Sequence, residues 1–157
     1  MVDKICYYWI VQSLFRLFEG RLVEMQSAQQ VLTNYFQALG SKQIDKVIEL
    51  VHDEAKFIIL KKEPSNRIPL YGTFHGKEGV RNYLSLLEEA EQIESFVLHK
   101  LIGNQEAACA WGNFRIKVNV TGKVFESDWA IICEVEQEKI RFFQIFEDTA
   151  ALEEAFD

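Results

Sequence analysis

The chain has 157 residues, of which 48% are apolar and 26% charged, and its formal net charge is −7. This length and balance predict one globular domain that buries a core of its own. The Lys and Arg residues form no cluster, which argues against a nucleic-acid partner, because phosphate contacts need grouped basic side chains.

The first 26 residues do not fit the pattern of the rest. Residues 5–18 are apolar, but Arg16 interrupts them, no small-residue cleavage site follows, and the segment is too short to span a bilayer. A basic polar face is missing, which argues against a membrane-surface anchor. We interpret residues 1–26 as an N-terminal extension, either an appended helix or the result of an early start codon. We expect it to be dispensable for the domain at 27–157.

The domain is predicted to open with two helices. Apolar residues recur at helical spacing from Ala28 through Tyr35 to Leu39, and Gly40 is typical of a helix end. Ser41 is the expected cap of a second helix. The apolar face of that second helix is formed by Ile44, Val47, Ile48 and Val51.

Six later segments have the length and composition of strands, because they are rich in β-branched and aromatic residues and are separated by polar turns. The predicted strands span residues 55–60, 94–102, 106–120, 123–135 and 139–147, while residues 68–74, which contain Pro69 and Gly72, form either an edge strand or an extended connection. A third helix begins at Gly76, between the second and third strands, and a short last helix begins at Asp148 and Thr149. This order predicts an α+β fold with the helices on one face of an antiparallel sheet.

Three motifs in this order carry a family resemblance. The first is the Tyr-Phe-Gln-Ala-Leu sequence that begins at Tyr35, and the second is the Gly-x-x-x-Gly passage from Gly72 to Gly76. The third combines Trp129-Ala with the closing Glu147-Asp-Thr-Ala. Together they resemble the SnoaL-like and ketosteroid isomerase-like branch of the nuclear transport factor 2-like superfamily, whose fold is cystatin-like.

The resemblance implies the shape of the domain. A cone-shaped, strongly curved, mixed or antiparallel sheet would wrap on about three helices and leave an apolar pocket at its open end. Members of the family are often homodimers through the outer face of the sheet. Aromatic and β-branched residues on both faces of the last three strands favour such a homodimer here.

The resemblance also indicates candidate catalytic residues. Tyr35 matches the family tyrosine that donates a hydrogen bond to a developing oxyanion. The family base falls within residues 57–60, where this chain has no carboxylate. Glu147 is the first alternative acid or base, because it shares strand parity with Phe143 and would lie among aromatic rings. Asp128 is the second, although alternation along its strand places it on the polar face.

The expected pocket is apolar and is lined from several strands and from the approach to the third helix. The resemblance implies that its ligand is a small hydrophobic molecule that carries oxygen. The candidate ligand-binding residues are Phe57, Tyr71, His75, Trp111, Trp129, Ile131 and Phe143.

Two kinds of function fit these residues. One is a cofactor-free isomerase, cyclase or hydrolase, and the other is a non-catalytic ligand-binding or protein-interaction module. A carboxylate within reach of Tyr35 in an apolar cavity would favour the enzyme. The three histidines lie far apart, and Cys6, Cys109 and Cys133 show no metal spacing, so neither a metal nor another cofactor is expected. The odd, widely spaced cysteines indicate free thiols and a cytoplasmic location.

Overall fold

A computed structural model describes residues 25–157 of the chain. Residues 1–24, and with them nearly all of the N-terminal extension proposed from the sequence, lie outside the described residues. The helices of the described part are α1 (Ala28–Gly40), α2 (Ile44–Glu49), α3 (Gly76–Ala90) and α4 (Thr149–Ala155). Its strands are β1 (Val51–Ile59), β2 (Gly72–His75), β3 (Glu91–Gly103), β4 (Ala107–Val118), β5 (Val124–Glu136) and β6 (Lys139–Phe146).

The strands form one mixed sheet in the order β2-β1-β6-β5-β4-β3. Strands β1 and β6 are parallel, and every other neighbouring pair is antiparallel. Helix α3 packs mainly against β1, and α1 lies across β3 to β6. This arrangement confirms the predicted α+β fold, in which a mixed sheet wraps on the helices.

Helix α1 begins where the sequence predicts. The Ser27 hydroxyl accepts a hydrogen bond from the Gln30 N–H, and the Gln30 side chain accepts one from the Ser27 N–H. This reciprocal capping box satisfies two backbone donors that a helix start otherwise leaves free. The buried face of the helix consists of Ala28, Val31, Leu32, Tyr35 and Ala38.

The start of α2 differs from the prediction. Ser41 does not cap this helix, because its N–H donates to carbonyls in the last turn of α1 and so ends that helix. Lys42 then takes a left-handed conformation with φ 54°, and Gln43 precedes the first residue of α2. Val51 also lies outside α2, as the first residue of β1. The apolar spacing at this point therefore serves the strand and not the helix.

One face of the sheet is buried against the helices and forms the interior of the domain. On β5 the inward side chains are large and almost fully buried, which confirms the predicted alternation; they are Phe125, Trp129, Ile131 and Cys133. At the same level on β4 the inward positions carry small residues, namely Ala108, Ala110 and Gly112.

An irregularity in the β5–β6 pairing decides which residues of β6 face inward. Cys133 pairs with Phe143, but Val135 pairs with Ile140, so β6 has one more residue than β5 between these pairs. Ile140 and Phe143 are therefore both buried although they are three residues apart. Beyond this bulge, alternate positions counted from Phe143 point inward, and Glu147 is one of them.

Strand β3 is one edge of the sheet, and most of its residues are exposed. Its pairing with β4 has two irregularities, one on each side of Phe96. Phe96 pairs with Phe114, an inward residue of β4, and is still 46% exposed. Phe96 therefore lies at the exposed edge of the sheet, where it covers the interior.

Candidate functional site

An aromatic cluster fills the centre of the interior. Tyr35 of α1 is 2% exposed, and its ring lies 5.5 Å from that of Phe143 and 6.4 Å from that of Phe57. The rings of Phe57 and Phe143 stack at 4.6 Å, because the parallel pairing of β1 with β6 places these residues side by side. The structure thus brings three of the candidate site residues into contact.

A second aromatic group surrounds Trp129, which is 2% exposed. Its indole stacks on Phe96 at 4.8 Å and lies 5.7 Å from Phe36, and Phe36 in turn lies 5.9 Å from Tyr35. The indole nitrogen Nε1 of Trp129 is fully buried and has no hydrogen-bond partner among the described residues. Burying an unpaired donor of this kind costs about 1–3 kcal/mol.

The bulge in β6 turns Glu147 toward this interior, where it lies half-buried directly after the strand. Burial and, to a smaller extent, the charge of Glu91 raise the pKa of the Glu147 carboxyl to about 8. Both causes act by disfavouring the ionised form. A carboxyl that titrates near neutral pH can give a proton to a ligand or take one from it.

Glu91 is a second inward carboxyl, and the sequence pattern did not identify it. It follows an acidic stretch at the end of α3 that is typical of a solvated helix end. Helix α3 ends at Ala90, and Glu91 is already the first residue of β3. Glu91 pairs with Val118, whose side chain is buried, so the Glu91 side chain lies on the inner face of the sheet as well. Burial raises the pKa of Glu91 to about 7. The signal in the sequence is the lack of any Gly or Pro between helix and strand.

Tyr83 of α3 joins this polar group. Burial raises the pKa of its hydroxyl well above the usual value, and Tyr35, Glu147 and Glu91 raise it further. Burial raises the pKa of the Tyr35 hydroxyl as well, with a smaller effect from Cys133. Both phenols therefore stay protonated around neutral pH and act as hydrogen-bond partners. The interior combines two such hydroxyls with two carboxyls that titrate near pH 7–8.

A groove of about 760 Å³ opens beside Glu91, between the ends of α1 and α3 and the start of β3. Its apolar wall is formed by Leu39, Ile44, Leu84, Leu87 and Ile93. This volume is typical of sites for small organic molecules. A smaller depression of about 420 Å³ between α1 and α2 has polar walls such as Asn34 and Lys46, and neither inward carboxyl lines it. Of these two depressions, the larger groove has the more apolar wall, and Glu91 lines it.

Three of the predicted site residues lie outside the interior. Trp111 is 37% exposed on the outer face of β4, because the inward positions of that strand are the adjacent Ala and Gly. Asp128 is exposed on the outer face of β5, between the inward positions of that strand. His75 is also exposed and pairs with Lys56 on the outer side of β1. These three residues do not line the interior, which corrects the prediction for each of them.

Tyr71 is buried but already engaged with helix α4. Its hydroxyl donates to Glu153 Oε1 at 3.2 Å and lies 3.4 Å from the Thr149 carbonyl oxygen. The Lys61 ammonium lies 4.9 Å from the centre of the Tyr71 ring. These contacts anchor α4 on the loop after β1, so the structure gives Tyr71 a packing role.

Among residues 25–157, no three His, Cys, Asp or Glu side chains come together as a group that could hold a metal ion. Cys109 and Cys133 are both free thiols; they lie on neighbouring strands but on opposite faces of the sheet. Over the same residues, no helix is long and apolar enough to cross a membrane.

Solved structures share this fold. A nuclear transport factor 2-like protein from Burkholderia xenovorans LB400 is similar over 85% of this chain and 99% of its own, with a TM-score of 0.74 and 23% identity. Another from Burkholderia thailandensis E264 covers the same shares with a TM-score of 0.73 and 21% identity. TerC, co-crystallised with polyporic acid, is similar over 80% of this chain and 95% of its own, at a TM-score of 0.67 and 13% identity.

The sequence itself matches the SnoaL-like domain over residues 32–143. The match covers most of the chain, and the fold agrees with it, so this protein belongs to the SnoaL-like family of the nuclear transport factor 2-like superfamily. No curated protein matches the sequence.

Proposed function

We propose that this protein binds a small, apolar, oxygenated molecule in its interior and moves a proton on it without a cofactor, as an isomerase- or cyclase-type enzyme. The observation that carries the proposal is the inward Glu147 carboxyl, whose pKa is raised to about 8. A group that titrates near the working pH is the most effective at both taking and returning a proton. Glu91, with a pKa of about 7, supplies a second such group.

The two carboxyls act as a pair in this mechanism. The charge of Glu91 raises the pKa of Glu147, so their protons leave in two steps, and between about pH 7 and 8 the pair mostly holds one proton. The ionised carboxylate removes a proton from a carbon beside the ligand carbonyl. The electrons of the broken C–H bond form a carbon–carbon double bond, and those of the carbonyl move to its oxygen. The electron pair on that oxygen then re-forms the carbonyl, and the electrons of the new carbon–carbon double bond take a proton from the protonated carboxyl at the same carbon. Where the enolate is conjugated with a further double bond, that bond shifts instead and its far carbon takes the proton.

The walls of the interior define the class of ligand. The apolar wall of the groove beside Glu91 favours a hydrocarbon frame in the ligand. Two carboxyls disfavour an anionic ligand, because a further negative charge would be repelled and desolvated. A neutral cyclic ketone or enone meets both conditions. TerC, which has a similar fold, was co-crystallised with polyporic acid, and this supports a small organic ligand for the present chain.

A non-catalytic binding module is the second candidate. It is favoured by one observation, that residues 57–60, where the family base falls, carry no carboxylate. The interior would then hold the same ligand without moving a proton.

Hydrogen–deuterium exchange on a simple ketone separates the two candidates. We expect the protein to accelerate deuterium uptake by 2-tetralone in D2O, followed by proton NMR, because this ketone has an aromatic frame and acidic protons beside its carbonyl. Binding of 2-tetralone without faster exchange would establish the binding module instead. Heat-inactivated protein at equal concentration provides the blank for buffer-catalysed exchange.

We also propose that two copies of the chain pair through the outer face of the sheet. Two rows of cross-strand neighbours on that face are largely apolar. One row contains Trp111, Ala130 and Phe146, and the other contains Ile102, Cys109 and Ile132. Most of these large side chains are more than 40% exposed, and contiguous apolar area of this kind favours association.

Ile132→Glu is expected to convert the dimer into a monomer, because a charge at the centre of the outer face would be buried unpaired in the interface. The mass from light scattering should fall from twice that of the chain to that of one chain. Val120→Glu is the matched control, since Val120 is exposed in the β4–β5 turn, away from the outer face. A monomeric unmodified protein at micromolar concentration would refute the dimer.

A cytoplasmic location completes the proposal. Its support is that Cys109 and Cys133 are both free thiols, which is typical of a reducing compartment.

A further inference from the structure

The groove beside Glu91 combines an apolar wall with acidic side chains. Glu91 and Glu88 both line it, and the basic residue among its lining residues is Lys42, whose side chain is exposed. Leu84 and Leu87 of the wall lie on α3, the same helix that carries Glu88. A groove of this composition suits a molecule with a hydrocarbon body and one polar group, and the charges around it indicate the sign of that group.

The Glu91 carboxyl has no cationic partner within residues 25–157, where every ion pair involves another carboxylate. Lys42 lines the same groove but does not pair with Glu91, and burial alone raises the pKa of this carboxyl. A carboxylate that is partly withdrawn from water without a counter-ion is unfavourable, because the burial disfavours its charge. A cation that enters the groove would therefore gain a charge-assisted hydrogen bond to Glu91.

Two helix ends add negative potential at the same place. Helix α1 ends at Gly40 and α3 at Ala90, and neither helix has a basic residue in its last turn. The C-terminus of a helix carries the equivalent of about half a negative charge, which favours a nearby cation. Asn119 fixes the end of α3 beside β4, because its N–H and its side-chain amide donate to the carbonyl oxygens of Ala90 and Glu89 at 2.8 Å.

We infer that the groove binds a lipophilic amine in its protonated form, whose ammonium group pairs with the Glu91 carboxylate and whose hydrocarbon body packs on Leu87 and Ile93. The inference goes beyond the proposed proton transfer and does not depend on it, since an ion pair requires no reaction. Glu88 is exposed in the last turn of α3, so it adds attraction for a cation that solvent partly screens. The same charges disfavour an anionic ligand.

The test is a series of three ligands that share one frame and differ in charge, namely 2-aminotetralin, 2-tetralol and tetralin-2-carboxylate. Their affinities are measured by isothermal titration calorimetry at pH 8, where Glu91 is largely ionised. The amine should bind about tenfold more tightly than the alcohol, because a hydrogen bond between charged groups is stronger than a neutral one. The carboxylate should bind most weakly. This comparison uses the unmodified protein, so it does not depend on the folding of a variant.

The variant Glu91→Gln should lower the affinity for the amine to that for the alcohol and leave the affinity for the alcohol unchanged. Glu89→Gln is the matched control, since it makes the same change at an exposed residue near the end of the same helix that does not line the groove. It should change none of the three affinities. Ile93→Lys places a positive charge at a lining position that is 56% exposed, and it should weaken binding of the amine by repulsion.

Equal affinities for the amine and the alcohol would show that the groove recognises only hydrocarbon, and would overturn the inference. Tighter binding of the carboxylate would overturn it too, with Lys42 as the partner. So would an amine affinity that Glu91→Gln leaves unchanged, or no binding of the amine at millimolar concentration. Deuterium exchange in 2-tetralone is a separate measurement. A protein that binds the amine through Glu91 and does not accelerate that exchange has this site without the proposed catalysis.

Discussion

Glu147→Gln is expected to lower the rate of proton transfer by a factor of about 10²–10⁴, the usual contribution of a positioned acid or base. Glutamine keeps the shape and the hydrogen-bonding groups of the side chain but can neither take nor give a proton at neutral pH. Binding of 2-tetralone should therefore persist, because the amide fills the same space and Glu147 is already mostly uncharged near neutral pH. The measurement is the rate of deuterium exchange at a saturating concentration of the ketone.

Asp128→Asn is the matched control for this change. It replaces a carboxylate by its amide on the outer face of β5, on the strand that pairs with the one leading to Glu147. We expect exchange rates equal to those of the unmodified protein. If Asp128→Asn abolished exchange and Glu147→Gln did not, the carboxylate that matters would lie on the outer face. The interior site would then be wrong.

Glu91→Gln separates the roles of the two carboxyls. The unmodified protein should show a bell-shaped dependence of exchange rate on pH with limbs near pH 7 and 8, because only the singly protonated pair holds both a base and an acid. Without Glu91, the pKa of Glu147 should fall, since the repelling charge is gone. The bell should then become a single rise with pH. A profile unchanged by Glu91→Gln would show that Glu91 takes no part.

The element order follows from the sequence because local signals and tertiary packing agree there. Ser27 and Gln30 mark the start of α1, and Asp148 caps α4 as its position predicts. Alternation along β5 assigns its inner face, since one large apolar side chain follows another at every second position. Each of these signals lies within a few residues of the element that it specifies.

Strand β4 shows where such local signals fail. Its only aromatic ring at this level, Trp111, predicts an inward position, yet the inward positions hold Ala110 and Gly112. Trp129 from the neighbouring strand occupies the space above Gly112, so a small residue is required beneath it. Whether the large inward side chain comes from β4 or from β5 depends on how the two strands pair. The sequence of one strand by itself therefore does not predict it.

The two carboxyls of the site were unequally predictable. Glu147 faces inward because the bulge in β6 lies before Phe143, and counting alternate residues from Phe143 gives the right answer without knowledge of the bulge. Glu91 depends on the direct passage from α3 into β3, which one chain alone does not distinguish from a solvated helix end. Because residues 57–60 carry no carboxylate, the family resemblance did not indicate which carboxyl of this chain acts as the base.

The same two carboxyls should make the fold less stable as the pH rises from about 5.5 to 8.5. Their pKa values in the folded protein, about 8 for Glu147 and about 7 for Glu91, lie above the ordinary value of 4.5 that applies to the unfolded chain. The folded state therefore binds protons that the unfolded state has released, and this contribution to stability is lost as the pH passes through 7 and 8. Asp53 and Glu153, whose pKa values are lowered, titrate below this range and do not mask the effect.

We expect the free energy of unfolding to fall by about 3 kcal/mol over this range. Each unit of pKa shift corresponds to about 1.4 kcal/mol, and partial contact with solvent reduces the sum for both groups. Urea unfolding at a series of pH values measures the slope. Glu147→Gln should remove more than half of it, and the double variant Glu91→Gln/Glu147→Gln should leave almost none. Both variants should be more stable than the unmodified protein at pH 8.5.

Asp128→Asn again supplies the control, because it makes the same chemical change on the outer face and should leave the slope as it is. A stability that rises with pH, or a slope that survives the double variant, would mean that both carboxyls are ionised and solvated in the folded protein. The acid–base pair would then have no basis, because two ordinary carboxylates hold no proton to return at neutral pH. The stability measurement therefore tests the chemistry of the site without any ligand, and it can be made before a substrate is known.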